Sequence, residues 1–163
     1  MKKLVINYEV CNRCPACVVS CSYPHHPVNN GITTLREAVA FAVVCRRCDD
    51  APCIAACPTG ALKREERTNR RSRFVCVSCK TCSLSCPFGT ILPECIPYIV
   101  SGCDFCLGRL ADGEVPLCVR TCPYGALRYV EEAETAGAPH MEPVGDHLIV
   151  QAVNWLTLSG IRR

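Results

Sequence analysis

The feature that most constrains the fold of this chain is a cysteine pattern that occurs four times. The segment CVSCKTCSLSC at residues 76–86 has two, two and three residues between its successive cysteines, and Pro87 follows it. Seventeen of the 163 residues are cysteines, a density far above that of ordinary globular proteins. Because the chain has only four Phe and one Trp, apolar side chains alone would form a thin core. We therefore expect material bound by the cysteines to fill part of the interior.

Sixteen of the cysteines fall into four groups of similar spacing. In every group three residues separate the last two cysteines, and in groups two to four a proline follows: Pro58, Pro87 and Pro123. In group one Ser22 occupies that position, and Cys95 belongs to no group. The groups are, in order, Cys11, Cys14, Cys17 and Cys21; Cys45, Cys48, Cys53 and Cys57; Cys76, Cys79, Cys82 and Cys86; and Cys103, Cys106, Cys118 and Cys122.

Three kinds of site use closely spaced cysteines. Disulfides are disfavoured because the N-terminal segment lacks the apolar stretch of an export signal, which predicts a reducing, cytoplasmic location, and because the cysteine count is odd. Zinc sites typically pair two C-x2-C sequences across a longer stretch, unlike the triplets seen here. The run C-x2-C-x2-C-x3-C-P is instead the signature with which bacterial ferredoxins bind [4Fe–4S] clusters.

The segments around the groups predict short strands and helices. We expect the first three cysteines of a group to lie on a short loop, and the fourth to begin a helix with the following proline in its first turn. Alternating apolar residues predict short strands at residues 3–8 and 126–131. Groups one and four resemble the two halves of a ferredoxin, and this resemblance implies that the two strands pair. A hairpin with a charged turn at residues 68–70 is predicted between groups two and three.

Residues 133–163 differ in composition from the cysteine-rich part of the chain. The stretch up to Asp146 contains many small and acidic residues and predicts an extended linker. Roughly helical spacing of apolar residues in HLIVQAVNWLTLSGIRR predicts an amphipathic C-terminal helix that packs on the core or on a partner, with Trp155 as an anchor in the second case. No segment is long and apolar enough to predict a membrane span.

Other polar features of the sequence do not predict a catalytic or nucleic-acid-binding site. The mixed-sign segment LKREERTNRRSR is typical of a solvent-exposed turn, and the net charge of +3 would offset the negative charge of bound clusters. No nucleic-acid-binding, dinucleotide, P-loop or flavin motif is present. His25 and His26 complete no recognisable metal motif, and Cys95 is predicted to be a small buried apolar side chain.

The chain resembles a known family over roughly residues 4–130, on motifs such as CRRCDDAPCIAACPTGAL and CVSCKTCSLSCPFGTI. The family comprises the four-cluster ferredoxin-like electron-transfer subunits of modular oxidoreductases. These accompany molybdenum or tungsten enzymes such as dimethyl sulfoxide reductases, formate dehydrogenases and aldehyde oxidoreductases, and some nickel hydrogenases and carbon monoxide dehydrogenases. The resemblance implies an α+β fold of two nested, pseudo-symmetric two-cluster ferredoxin-like lobes. One would comprise residues 1–44 and 87–132, the other residues 45–86, with the linker and helix at 133–163.

The resemblance also implies the ligand sets of four [4Fe–4S] clusters. Groups one and four would exchange their last cysteines, and so would groups two and three. The implied sets are Cys11, Cys14, Cys17 and Cys122; Cys103, Cys106, Cys118 and Cys21; Cys45, Cys48, Cys53 and Cys86; and Cys76, Cys79, Cys82 and Cys57.

The implied function is electron relay without catalysis. One partner would be a catalytic tungsten, molybdenum or nickel oxidoreductase subunit, a tungsten aldehyde oxidoreductase by first choice. The other would be an electron donor or acceptor protein. The alternative is a freely diffusing polyferredoxin that serves several enzymes.

Overall fold

The computed structural model describes residues 1–15, 17–21, 31–66, 68–96 and 102–154, so the predictions for His25, His26 and Trp155 lie outside the described residues. Short helices and small sheets make the fold α+β. Within the described residues, no helix has both the length and the apolar character needed to cross a bilayer. The elements are β1 Lys2–Asn7, α1 Tyr8–Arg13, α2 Gly31–Val39, a π-helical turn Ala40–Val44, α3 Pro52–Ala55, β2 Leu62–Arg64, β3 Asn69–Arg71, α4 Thr81–Leu84, a 3-10 turn Pro93–Cys95, α5 Leu117–Thr121, β4 Leu127–Glu131, α6 Glu132–Thr135, β5 Met141–Pro143 and β6 Leu148–Gln151.

The described residues form two compact units. Unit one draws on residues 1–32 and 103–154 and contains the cysteines of groups one and four, while unit two draws on residues 33–102 and contains those of groups two and three. The sequence placed the borders at 44/45 and 86/87 instead. Helix α2 from Thr33 onward and the π-helical turn belong to unit two. Glu37 pairs with Arg71 of β3, and Phe41 lies in the same core cluster as Leu62.

Unit one is built on a four-stranded sheet with the order β4-β1-β6-β5. Strand β1 pairs antiparallel with β4, with Ile6 opposite Leu127, which confirms the predicted pairing of these two segments. Leu4, Val5 and Ile6 are all buried, as expected of a central strand with both faces covered. Lys3 lies among them, and its ammonium group donates to Glu132 over 2.6 Å.

The predicted C-terminal helix is wrong over the part that the structure describes. Residues Leu148–Gln151 form strand β6, which runs parallel to β1 and antiparallel to β5. The predicted linker is also partly ordered, because it contains most of α6 and all of β5. Leu148, Ile149 and Val150 are consecutive and all buried. Periodicity alone does not distinguish so short an apolar run in a buried strand from one in a buried helix.

Unit two is built around the hairpin of β2 and β3. The strands pair antiparallel with Leu62 opposite Arg71, which confirms the predicted hairpin. The turn lies slightly earlier than predicted, since the amide of Glu65 donates to the carbonyl oxygen of Thr68. Cysteine side chains form part of the core beside apolar ones. The buried cluster is Phe41, Cys53, Leu62, Cys82, Ile91 and Ile96.

The central position of β6 makes its buried side chains important for stability. We expect Leu148→Ala to lower the free energy of unfolding by about 2–5 kcal/mol, as for other buried Leu→Ala substitutions. Anaerobic urea unfolding followed by far-ultraviolet circular dichroism would measure the change. The matched control is Leu84→Ala, because the Leu84 side chain is 86% exposed and its loss should change stability by no more than about 0.5 kcal/mol. Equal losses in the two variants would contradict the placement of β6.

Candidate metal centres

The first cysteine set of unit two surrounds a cavity. Cys45, Cys48 and Cys53 of group two and Cys86 of group three all line it. Burial raises the pKa of the Cys45 and Cys53 thiols, and negative charge on Cys86 raises both further. The structure therefore brings the last cysteine of group three to the first three of group two. That these four cysteines bind one cluster, as the resemblance implies, stays a prediction.

The second set of unit two surrounds another cavity. Its sulfur lining comes from Cys76, Cys79 and Cys82 of group three and from Cys57 of group two. Burial raises the pKa of Cys82 to about 11, and the charges of the other three cysteines of the set add to the effect. The two groups of this unit thus exchange their last cysteines reciprocally.

A third set forms in unit one. Burial raises the pKa of Cys118 to about 12, and negative charges on Cys103, Cys106 and Cys21 raise it further. The pKa of Cys103 is raised to about 11 by burial, with added effects from Cys21 and Cys106. Three cysteines of group four therefore lie close to the last cysteine of group one.

For the remaining set the structure shows adjacent backbone segments. The amide of Asn7, four residues before Cys11, donates to the carbonyl oxygen of Ala126, four residues after Cys122, over 2.7 Å. The amide of Ser20 donates to the hydroxyl oxygen of Thr121 over 3.0 Å. These contacts bring groups one and four together on both sides of Cys122. The grouping of Cys11, Cys14 and Cys17 with the Cys122 sulfur stays a prediction.

Three groups begin with the same backbone conformation. Arg47, Ser78 and Phe105, each just before the second cysteine of its group, have φ of 50°, 56° and 55°. This left-handed conformation turns the amide toward the first cysteine. The amide nitrogens of Ser78 and Phe105 lie 3.4 and 3.3 Å from the sulfurs of Cys76 and Cys103, and the Arg47 amide donates likewise to Cys45.

Group one differs from the predicted short loop in its first part. Cys11 lies inside helix α1, which begins after Asn7, whose side chain accepts from the amide of Val10 over 3.1 Å. An N-cap asparagine stabilises a helix start in this way. Cys14 is the first residue beyond the helix and has extended backbone dihedrals.

For groups two, three and four, the prediction that the fourth cysteine begins a helix is wrong. Short helices α3, α4 and α5 contain the third cysteines, Cys53, Cys82 and Cys118, and end before the fourth. In each of these groups, about one helical turn accounts for the three residues between the third and the fourth cysteine. The proline that follows then starts a tight turn, a position that its fixed φ favours, instead of a helix.

The turns after groups two, three and four have one geometry. In the sequences CPTG, CPFG and CPYG the glycine amide donates to the cysteine carbonyl oxygen, over 3.2, 3.2 and 3.3 Å. The glycines, Gly60, Gly89 and Gly125, have φ of 62°, 62° and 61°. Side chains rarely adopt this region because the Cβ atom meets the following carbonyl oxygen.

These turns direct amide groups at sulfur. Cys57 accepts from the amides of Leu62, Thr59 and Ala61, and Cys86 accepts from those at the equivalent positions, Phe88, Thr90 and Ile91. Burial by itself would raise the pKa of both thiols, but the hydrogen bonds together outweigh it and lower the pKa. The turns are thus built to stabilise thiolates, the form of cysteine that binds metal.

Sequence reasoning missed several side chains that contact the sulfurs. The amide nitrogen of Asn69 donates to Cys45 over 3.4 Å, and the hydroxyl of Thr81 donates to Cys79 over 3.3 Å. Asn69 and Arg71 are buried, so the charged segment predicted to be solvent-exposed is exposed only in part. A buried–exposed–buried pattern in NRR was hidden in the sequence because all three residues are polar.

Cys95 lies apart from the four sets of the prediction. It ends a 3-10 turn and is 3% exposed, which confirms its predicted burial. Burial raises the pKa of its thiol to about 11. Within the described residues, no group of three or more His, Cys, Asp or Glu side chains is placed to hold a single metal ion.

Comparison with known proteins agrees with this arrangement. Residues 36–132 match the family model of the 4Fe-4S dicluster domain. The "Uncharacterized ferredoxin-like protein YdhX" of Escherichia coli (strain K12) is 31% identical over 173 residues, which cover 85% of this chain and 78% of YdhX. The "Probable anaerobic dimethyl sulfoxide reductase chain YnfG" of the same strain is 36% identical over 93 residues, which cover 56% of this chain and 45% of YnfG.

Some relatives are far longer than this chain. AegA of Escherichia coli (strain K12) is 32% identical over 151 residues, which cover 82% of this chain but only 22% of AegA. The chain therefore corresponds to about a fifth of that relative.

The family match covers more than half of the chain, and the cysteine sets described above lie mainly within it. The chain belongs to the 4Fe-4S dicluster domain family. Its relatives include a ferredoxin-like protein and a probable dimethyl sulfoxide reductase chain.

The left-handed glycine of the CPTG turn gives a test of the turn geometry. We expect Gly60→Val to lower the free energy of unfolding by about 1–2 kcal/mol, because a side chain at positive φ is strained. Gly60→Asn should lose less than half as much, since asparagine tolerates this conformation. Anaerobic urea unfolding would measure both. A Cβ atom at Gly60 meets nothing within 4 Å, so equal losses for the two variants would contradict a backbone origin.

Proposed function

We propose that this chain carries four [4Fe–4S] clusters and relays electrons between a catalytic oxidoreductase subunit and another redox protein. The observation that carries the proposal is the reciprocal sharing of cysteines. In unit two, each cavity is lined by three cysteines of one group and the last cysteine of the other. In unit one, Cys21 of group one lies near three cysteines of group four.

The residues present fit iron–sulfur clusters. Each cavity of unit two has four cysteine sulfurs in its lining, the ligand number of a [4Fe–4S] cluster. Backbone amides are directed at those sulfurs, which supports negative charge on the ligands. A bound cluster supplies reversible one-electron oxidation and reduction.

The protein's own part in such a relay is to hold the ligands and set their surroundings. Short helices, tight turns and the β2–β3 hairpin position the sulfurs, and the buried third cysteines limit contact with water. Hydrogen bonds to sulfur and local burial tune reduction potentials. None of this requires a general acid, a base or a nucleophile, so the proposed role is non-catalytic.

The proposed catalytic partner is a molybdenum or tungsten oxidoreductase subunit. The name of YnfG, a dimethyl sulfoxide reductase chain, supports this class. The motif resemblance extends the choice to tungsten aldehyde oxidoreductases, our first choice on sequence, and to formate dehydrogenases, hydrogenases and carbon monoxide dehydrogenases. A free polyferredoxin is the alternative.

Metal analysis tests the cluster number. The chain purified without oxygen should contain about sixteen iron atoms and as much acid-labile sulfide. Cys53→Ser should lower the iron content to about twelve, because it removes a ligand of one cluster. The matched control is Cys95→Ala, which alters a buried cysteine outside the four sets and should leave the iron content unchanged. An iron content well below sixteen in the loaded wild-type chain, or an equal loss in both variants, would contradict the proposed ligands.

Purification from the native cells tests the partner. A tagged chain should co-purify in stoichiometric amount with a larger subunit that contains molybdenum or tungsten. Nickel in the complex would point instead to a hydrogenase or carbon monoxide dehydrogenase. Iron-loaded chain with no companion would contradict the subunit role and favour the free polyferredoxin. Deleting residues 133–163 is not a clean test, because β5 and β6 belong to the sheet of unit one.

A further inference from the structure

Strand β3 presents different side chains to the two cavities of unit two. Asn69 and Arg71 are buried, while Arg70 between them is exposed. Asn69 lines the cavity of Cys45, Cys48, Cys53 and Cys86, and Arg71 lines the cavity of Cys57, Cys76, Cys79 and Cys82. One three-residue strand therefore reaches both candidate centres, with a neutral amide on one and a cation on the other.

Arg71 is held by a buried ion pair. Its Nε and Nη2 atoms donate to the two carboxylate oxygens of Glu37, the second over 2.9 Å. The two side chains are 2% and 7% exposed. Side-by-side bonding of this kind fixes the orientation of the guanidinium plane. The cation is thus fixed beside the cavity by a partner on helix α2.

One guanidinium nitrogen of Arg71, Nη1, does not bond to Glu37. Nη1 is buried and makes no hydrogen bond within the described part of the chain. The guanidinium also lies close to Cys76, whose sulfur favours its protonated form. Nη1 is thus a buried hydrogen-bond donor without a partner, and it borders a cavity lined by sulfur. This arrangement indicates that the cavity binds a ligand whose sulfur can accept a hydrogen bond.

The other cations around the cavities differ from Arg71 in exposure. Lys80 at the same cavity and Arg64 at the other are exposed, and Arg46 is half-buried over the Phe88 ring. Solvent and salt screen exposed charges strongly, whereas a buried charge acts through a medium of lower dielectric constant. Among the described cations that line the two cavities, Arg71 is the buried one.

We propose that Arg71, fixed by Glu37, donates through Nη1 to the sulfur of the Cys57, Cys76, Cys79 and Cys82 centre and raises its reduction potential above that of the Cys45, Cys48, Cys53 and Cys86 centre. This inference rests on the proposed function, because both centres must hold clusters. Reduction adds one negative charge, so a nearby fixed cation that donates to sulfur stabilises the reduced form. Arg71 is a positioning and tuning residue and takes no part in chemical bond formation.

The test is an anaerobic redox titration of the full, iron-loaded chain followed by electron paramagnetic resonance. Arg71→Gln should lower the reduction potential of one cluster. At a fixed applied potential the reduced-to-oxidised ratio of that cluster should fall at least tenfold, which corresponds to about 59 mV for one electron. Arg71→Lys, which keeps the charge but not the fork, should lower it less. Glu37→Gln should raise the reduction potential of the same cluster, because it removes the negative charge that opposes the charge of Arg71.

Two further variants serve as controls. Arg70→Gln removes a neighbouring charge whose side chain is 75% exposed and should shift no couple. Asn69→Leu should lower the reduction potential of a different cluster. In the wild-type chain, that cluster should have a lower potential than the cluster that Arg71 affects. Iron and sulfide content is measured for every variant.

Several results would overturn the inference. The first two are reduction potentials that do not change in Arg71→Gln and a lower potential in Glu37→Gln. The others are that the Arg71 and Asn69 variants change the potential of the same cluster, or that the cluster affected by Asn69 has the higher potential in the wild-type chain. Loss of about four iron atoms in all three variants at Arg71 and Glu37 would show a structural role instead. A wild-type chain poor in iron would overturn the proposed function as well, whereas full iron with unmoved potentials overturns this inference alone.

Discussion

Crowding of cysteine sulfurs is the constraint on which the rest of the structure depends. Three of the four sets bring sulfurs close enough for their charges to raise the pKa of neighbouring thiols, most strongly at buried Cys118. Burial and mutual repulsion both oppose the thiolate form that metal binding requires. Backbone amides counter this opposition, and at Cys57 and Cys86 they outweigh it. The left-handed residues and tight turns exist because amides must be turned inward toward sulfur.

The β2–β3 hairpin links this local chemistry to packing. Leu62 belongs to the core cluster in which Cys53 and Cys82 also lie, so the same short strands support the core and border both cavities. The buried pair of Arg71 and Glu37 joins the hairpin to α2. Buried ion pairs contribute little net stability, because desolvation offsets their attraction. The pair of Arg71 and Glu37 lies beside the Cys76 sulfur. This position suits an electrostatic effect on that sulfur better than a contribution to folding stability.

Strand periodicity and the resemblance to ferredoxins predicted part of the fold and of the candidate site. The β2–β3 hairpin follows from strand periodicity. The pairing of β1 with β4 and the meeting of Cys86 with group two were implied by the resemblance to ferredoxins. Strand β6 was missed because LIV fits a strand or a helix until its neighbours are known. Asn69 and Arg71 were missed because a segment of mixed charge gives no sign of which side chains face inward. The helix turn before the fourth cysteine was also missed, since C-x3-C alone does not show whether the helix lies before or after that cysteine.

The parallel pairing of β1 with β6 has a consequence for the order of assembly. Strand β1 comes from the first residues of the chain, yet it lies between β4 and β6, which are synthesised after the whole of unit two. Domains tend to fold as units during synthesis, and contacts distant in sequence form late. On the ribosome, unit two can thus reach its fold while β1 still lacks both neighbours. Cofactor insertion would then proceed from the middle of the chain outward, with the groups nearest the two termini completed last.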